Sequence, residues 1–68
     1  MELILNGKKR EVTDGASLTA LLNELSINPL RVAVQLNLEI VKRERYNETV
    51  LKPGDRLEII TLMAGGAE

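Results

Sequence analysis

The hydrophobic and polar positions divide the chain into short alternating and periodic runs. From Met1 to Leu5, Leu3 and Leu5 fall on one face and Glu2 and Ile4 on the other, as in a strand. Asn6-Gly7 supplies the two positive-φ positions of a type I′ turn. Lys8 to Val12 reads as the return strand, polar enough for a sheet edge, where lysines discourage edge-to-edge association. Thr13-Asp14-Gly15-Ala16 is a loop, and Ser17 is the N-cap of a helix beginning at Leu18. Leu18, Leu21, Leu22 and Leu25 make one buried stripe, with Asn23 and Glu24 on the wet side. The helix should end near Leu25-Ser26, because Pro29 disfavours helical geometry at Asn28. Ile27 and Leu30 are expected to close the core beneath that connection.

Val32, Val34 and Leu36 alternate with Ala33 and Gln35, the pattern of a half-buried strand. Asn37-Leu38-Glu39 reads as a turn and Ile40-Val41 as a short strand. Lys42-Arg43-Glu44-Arg45-Tyr46 reads as a solvated turn, Val50-Leu51 as a return to the core, and Pro53-Gly54-Asp55 as a turn. Along the last strand, Arg56 to Thr61, the pleat sends Leu57 and Ile59 one way and Glu58, Ile60 and Leu62 the other. One amphipathic helix with a single apolar stripe has to cover one face of one mixed sheet. The predicted fold is therefore α+β, a β-grasp (ubiquitin-like) roll of four to five strands with one main helix. Its first and last strands should lie centrally and pair in parallel. Residues 1–62 form the domain, and residues 63–68 are expected to be a flexible C-terminal tail.

Composition narrows the chemistry. The 68 residues suffice for one small core, and Tyr46 is the only aromatic, so that core must be aliphatic. Cysteine and histidine are both missing, which removes thiol nucleophiles, zinc-thiolate sites and the usual neutral-pH proton shuttle. No paired carboxylates mark an acid–base site and no metal site is expected, so the chain does not read as an enzyme. Lys8-Lys9-Arg10 lacks interleaved aromatics and reads as a solvated edge, and a net charge of −1 gives no case for nucleic acid or a membrane surface. No signal peptide or membrane-spanning run is present, so a cytoplasmic location is expected.

The ending Leu62-Met63-Ala64-Gly65-Gly66-Ala67-Glu68 carries the functional signal. Adjacent glycines pass through slots too narrow for other residues, and an extended run from Leu62 to Gly66 spans up to about 17 Å. Glycines near a terminus also occur simply where chains fray. Ile60 and Leu62, with Ile4 on the neighbouring strand, would form an apolar docking patch that Met63 and Ala64 continue. Scattered exposed aliphatics without a role are the plain alternative.

Asn6 after an apolar first strand, the Leu21-Leu22 helix, Val34-x-Leu36-Asn37 and Ile40-Val41-x-Arg43 together resemble the ThiS family. Leu51-x-x-Gly54-Asp55, the apolar last strand and Ala64-Gly65-Gly66 extend that resemblance over nearly the whole chain. It implies a sulfur carrier of thiamine (thiazole) biosynthesis that binds no cofactor of its own. A ThiF-like adenylyltransferase would use ATP and magnesium to activate the Gly66 carboxylate. Sulfur would then displace AMP, and a ThiG-like thiazole synthase would take sulfur from the thiocarboxylate. Three features depart from the family pattern. Leu38 stands where glycine is frequent, Lys42 where proline is frequent, and Ala67-Glu68 follow Gly66. An internal peptide carbonyl cannot be adenylated, so removal of Ala67-Glu68 by a processing protease is expected. The alternatives are a MoaD-like carrier for molybdopterin and a non-catalytic ubiquitin-like binding module.

Overall fold

The computed structural model describes residues 1–62. Strands β1 (Glu2–Leu5) and β2 (Lys8–Glu11) pair antiparallel from Glu2↔Glu11 to Leu5↔Lys8. Between them Asn6 has φ 49° and Gly7 φ 83°, the two left-handed positions that a type I′ turn requires. Helix α1 spans Leu18–Glu24, and its first amides all find protein partners. Leu18 N–H donates to the Thr49 carbonyl at 2.8 Å, Thr19 N–H to the Tyr46 carbonyl at 3.2 Å, and Ala20 N–H to Ser17 Oγ at 3.0 Å. The cap expected at Ser17 is in place, and the 46–49 segment is pinned across the helix start.

The helix stops by a Schellman arrangement. Ser26 N–H donates to the Asn23 carbonyl at 3.0 Å and Ile27 N–H to the Leu22 carbonyl at 2.8 Å. Ser26 therefore sits at φ 59°, where an L side chain is disfavoured and glycine is the usual occupant. Ile27 packs against the core just beyond it. Ser26→Gly should stabilise the domain by about 0.5–1 kcal/mol, seen as a rise of several degrees in the thermal unfolding midpoint.

A 3₁₀ turn over Pro29–Arg31 leads into β3 (Val32–Leu36), followed by β4 (Glu39–Val41), a second 3₁₀ turn over Arg43–Arg45, and β5 (Arg56–Thr61). The five strands form one sheet in the order β2-β1-β5-β3-β4. The last strand runs parallel to β1 and antiparallel to β3, so first and last strands lie centrally as the sequence predicts. With α1 across one face, this is a β-grasp roll. Leu3, Leu18, Leu21, Leu22, Val34, Leu51 and Leu57 are its fully buried side chains.

Four local expectations need correction. Tyr46, read as part of a solvated turn, is buried in the core, because its backbone is tied to Thr19 across the helix start. Leu30, expected with Ile27 to close the core, is exposed in the 3₁₀ turn, while Ile27 packs against the core as expected. Val50 is also exposed. It bridges Ser17 in extended backbone, where successive side chains face opposite ways, and the inward place goes to Leu51. Finally, the β3–β4 turn has two residues rather than three. Asn37 (φ 52°) and Leu38 (φ 74°) occupy its left-handed positions, so Leu38 takes up the conformation that glycine would favour, and Glu39 already pairs with Leu36. Lys42, at φ −70° and ψ 144°, holds a backbone conformation that proline also adopts.

Candidate functional site

The site is built on β5, which sits between β1 and β3. Its burial alternates as expected. Leu57 is buried and Ile59 half-buried toward the helix, while Arg56, Glu58 and Ile60 are exposed on the opposite, open face. The pairing Val32↔Thr61 is followed by one more ladder bond, Leu62 N–H to the Arg31 carbonyl at 2.8 Å. Leu62 thus continues the strand, and extended geometry returns it to the open face with Ile60. Each of the two is 49% exposed. Ala33 lies directly across from Ile60 and supplies a small neighbour beside it.

The other flank of β5 ends sooner. Main-chain pairing with β1 covers only Ile4↔Arg56 and Leu5↔Leu57, with Asn6 N–H donating to the Leu57 carbonyl at 2.8 Å. The Asn6 side chain then takes over. Its Oδ1 accepts from Ile59 N–H at 2.8 Å, and its Nδ2 donates to the Ile59 carbonyl at 3.4 Å. The opposite end of β5 is held in the same way. Asn37 Oδ1 accepts from Arg56 N–H at 3.0 Å, and Asn37 Nδ2 donates to Asp55 Oδ1 at 3.1 Å. Asp55 Oδ2 in turn accepts from Lys52 N–H at 2.8 Å, which closes the Pro53-Gly54 turn.

The parallel register separates the expected patch. Ile4 lies opposite Arg56 and Lys9, four residues, or about 13 Å of strand, from the level of Ile60. Glu58 intervenes on the same face, so Ile4 does not join Ile60 and Leu62 in one cluster. Met63, Ala64, Gly65 and Gly66 lie outside the described residues, as do Ala67 and Glu68. Ile40 was not anticipated on this face. The two-residue turn sets it across from Gln35, where it is largely exposed. Recognising Asn37-Leu38 as a type I′ pair would have given that register, since a shift of one residue reverses the faces.

Among the described residues no ligand-sized cavity exists, and no three His, Cys, Asp or Glu side chains come together to hold a metal. Nor is any helix among them long and apolar enough to cross a membrane. What the geometry offers is a surface: two apolar side chains at the end of a strand gripped on both flanks.

Comparison with known proteins agrees with this architecture. A crystal structure of the thiamine biosynthesis protein ThiS from Geobacter metallireducens superposes with a TM-score of 0.85 at 36% identity, covering 97% of this chain and all of that one. The sulfur carrier protein ThiS of Escherichia coli is 26% identical over 66 residues, covering 97% of this chain and its own full length. A thiazole synthase of Paramagnetospirillum magneticum is 38% identical over 68 residues. The chain spans only about a fifth of the length of that enzyme and of a second thiazole synthase, from Magnetococcus marinus (21% and 20%). The sequence model of the ThiS family matches residues 3–66, a span that takes in both hairpins, the helix, β5 and Gly65-Gly66; the chain belongs to the ThiS family.

Proposed function

We propose that this chain is a sulfur carrier for thiazole formation in thiamine biosynthesis, acting as a co-substrate of partner enzymes rather than as a catalyst. The observation that carries the reading is the family match reaching Gly66, on a fold whose central strand ends at Thr61, five positions before it in sequence. A carboxylate is a poor electrophile. A ThiF-like adenylyltransferase, using ATP and magnesium, would join the Gly66 carboxylate to AMP and release pyrophosphate. A sulfur nucleophile would then displace AMP to leave a thiocarboxylate. The chain's likeness to part of two thiazole synthases supports a ThiG-like enzyme as the acceptor. Because Ala67 follows Gly66 in this sequence, hydrolysis of the Gly66–Ala67 peptide bond has to come first.

The test mixes a chain ending at Gly66 with ATP, magnesium and the adenylyltransferase. Pyrophosphate release is expected from that chain and not from the 68-residue form. With a sulfur donor added, intact mass should show one oxygen exchanged for one sulfur. Binding without turnover would leave only the inert ubiquitin-like module. Ile60, Leu62, Met63 and Ala64 are the proposed contacts with the partner enzymes. Ile60→Asp places a charge on that surface and should weaken adenylyltransferase binding at least about tenfold, because a carboxylate buried without a partner is costly. The fold should survive, since the side chain is half exposed. Unchanged affinity in a calorimetric titration would remove Ile60 from the contact.

A further inference from the structure

We infer that Asn6-Gly7 is a site of spontaneous covalent modification, deamidation through a cyclic imide, which the folded sheet keeps closed by holding the Asn6 carboxamide on Ile59. Asn6 is the only asparagine in the chain that a glycine follows. Glycine has no side chain, so nothing crowds its backbone nitrogen as an attacking group. The Gly7 nitrogen gives up its proton to solvent and adds to Cγ of Asn6. The Cγ–Nδ2 bond breaks, and ammonia leaves with a proton taken from water. The cyclic imide then takes up one water molecule. Opening at Cγ leaves aspartate, whereas opening at the main-chain carbonyl leaves isoaspartate, with the backbone rerouted through Cγ.

The folded chain blocks this attack at the electrophile. Asn6 Oδ1 accepts from Ile59 N–H at 2.8 Å, and Nδ2 donates to the Ile59 carbonyl at 3.4 Å. Turning Cγ onto the Gly7 nitrogen strips both bonds. It also leaves Ile59 N–H without its partner, where the strand pairing of β1 with β5 has already ended. The two residues lie 53 apart in sequence, so the lock closes only once β5 is in place. Asn37-Leu38 is an internal control. Asn37 has a similar left-handed φ and its carboxamide is also bonded, to Arg56 N–H and Asp55, but a leucine side chain follows it. Both products of the reaction at Asn6 weaken the hold on β5. Aspartate keeps an oxygen for Ile59 N–H and loses the donor to the Ile59 carbonyl. Isoaspartate lengthens the backbone of a two-residue turn that sets Leu5 opposite Lys8.

The 68-residue chain is incubated in mildly alkaline buffer, once folded and once unfolded in urea. Peptide mass mapping locates each exchange of an amide NH2 for a hydroxyl, and amide hydrogen exchange is followed at Ile59. Leu57→Ala removes a fully buried side chain from β5 and loosens the sheet without denaturant. Asn6 of the folded parent should react at least about tenfold more slowly than in the unfolded chain, because two hydrogen bonds must break first. Leu57→Ala should react faster than the folded parent, and match the unfolded chain if it fails to fold. Across all samples the Asn6 rate should rise in step with exchange at Ile59, while Asn37 stays intact over the same period. Equal Asn6 rates in the folded and unfolded parent would overturn the inference, as would rates that do not follow exchange at Ile59. An Asn6 that survives in urea, or an Asn37 that reacts there as fast, would remove Asn6-Gly7 as a distinct site.

Discussion

Tyr46→Ala is expected to cost about 3–5 kcal/mol, the range for removing a large aromatic side chain from a core. A domain of 68 residues has roughly 3–10 kcal/mol of stability in all, so much of the population should unfold at room temperature. The ring is buried among the aliphatic residues, and its backbone carbonyl caps Thr19 at the helix start. Urea unfolding followed by circular dichroism measures the loss. Tyr46→Phe keeps the packing and isolates the hydroxyl. Burial raises the phenol's pKa above 10.0, with the Arg43 charge and the Val34 backbone pulling the other way. In the unfolded chain the phenol ionises near about pH 10, whereas the folded state holds its proton to higher pH. Its contribution is complete below that pH and is lost as pH rises through the raised folded value. The stability of the Phe variant should accordingly fall less steeply than that of the parent above about pH 10.

The second large effect belongs to Asn37. Alanine there removes the acceptor for Arg56 N–H and the donor to Asp55, and puts at φ 52° a residue that tolerates the left-handed region less well than asparagine. One to two hydrogen bonds and the left-handed penalty together amount to about 2–3 kcal/mol. Asn37→Gly removes the same hydrogen bonds without the backbone penalty and should recover about 1 kcal/mol of that loss. Equal stability of the Ala and Gly variants would show that the left-handed φ costs nothing at this turn.

These residues mark where sequence reading succeeds and where it stops. Asn6-Gly7 gave its turn directly, because both residue types favour positive φ. The pairing of β1 with β5 followed from having one apolar helical stripe to bury. Asn37-Leu38 concealed the same turn, since leucine avoids the conformation it adopts here, and the outward face of Ile40 went unread as a result. Tyr46 was masked by four charged neighbours, Lys42 to Arg45. Only the long-range bond of its backbone carbonyl to Thr19 in α1 turns its ring inward. At the candidate site, the outward direction of Ile60 and Leu62 was legible from the two-residue period. The stagger that separates Ile4 from them was not, because a parallel pair is set by the whole length of the crossover rather than by any local motif. The second task of Asn6, on Ile59 at a sequence separation of 53, likewise leaves no local trace.

The central place of β5 also bears on the life of the nascent polypeptide. Residues of the opening hairpin have no sheet to join until a strand more than fifty positions later arrives between them and β3. Contacts so distant in sequence slow folding and delay it until β5 has been synthesised. A ribosome that stalls before β5 releases a product unable to fold, rather than a well-formed decoy that could occupy the partner enzymes.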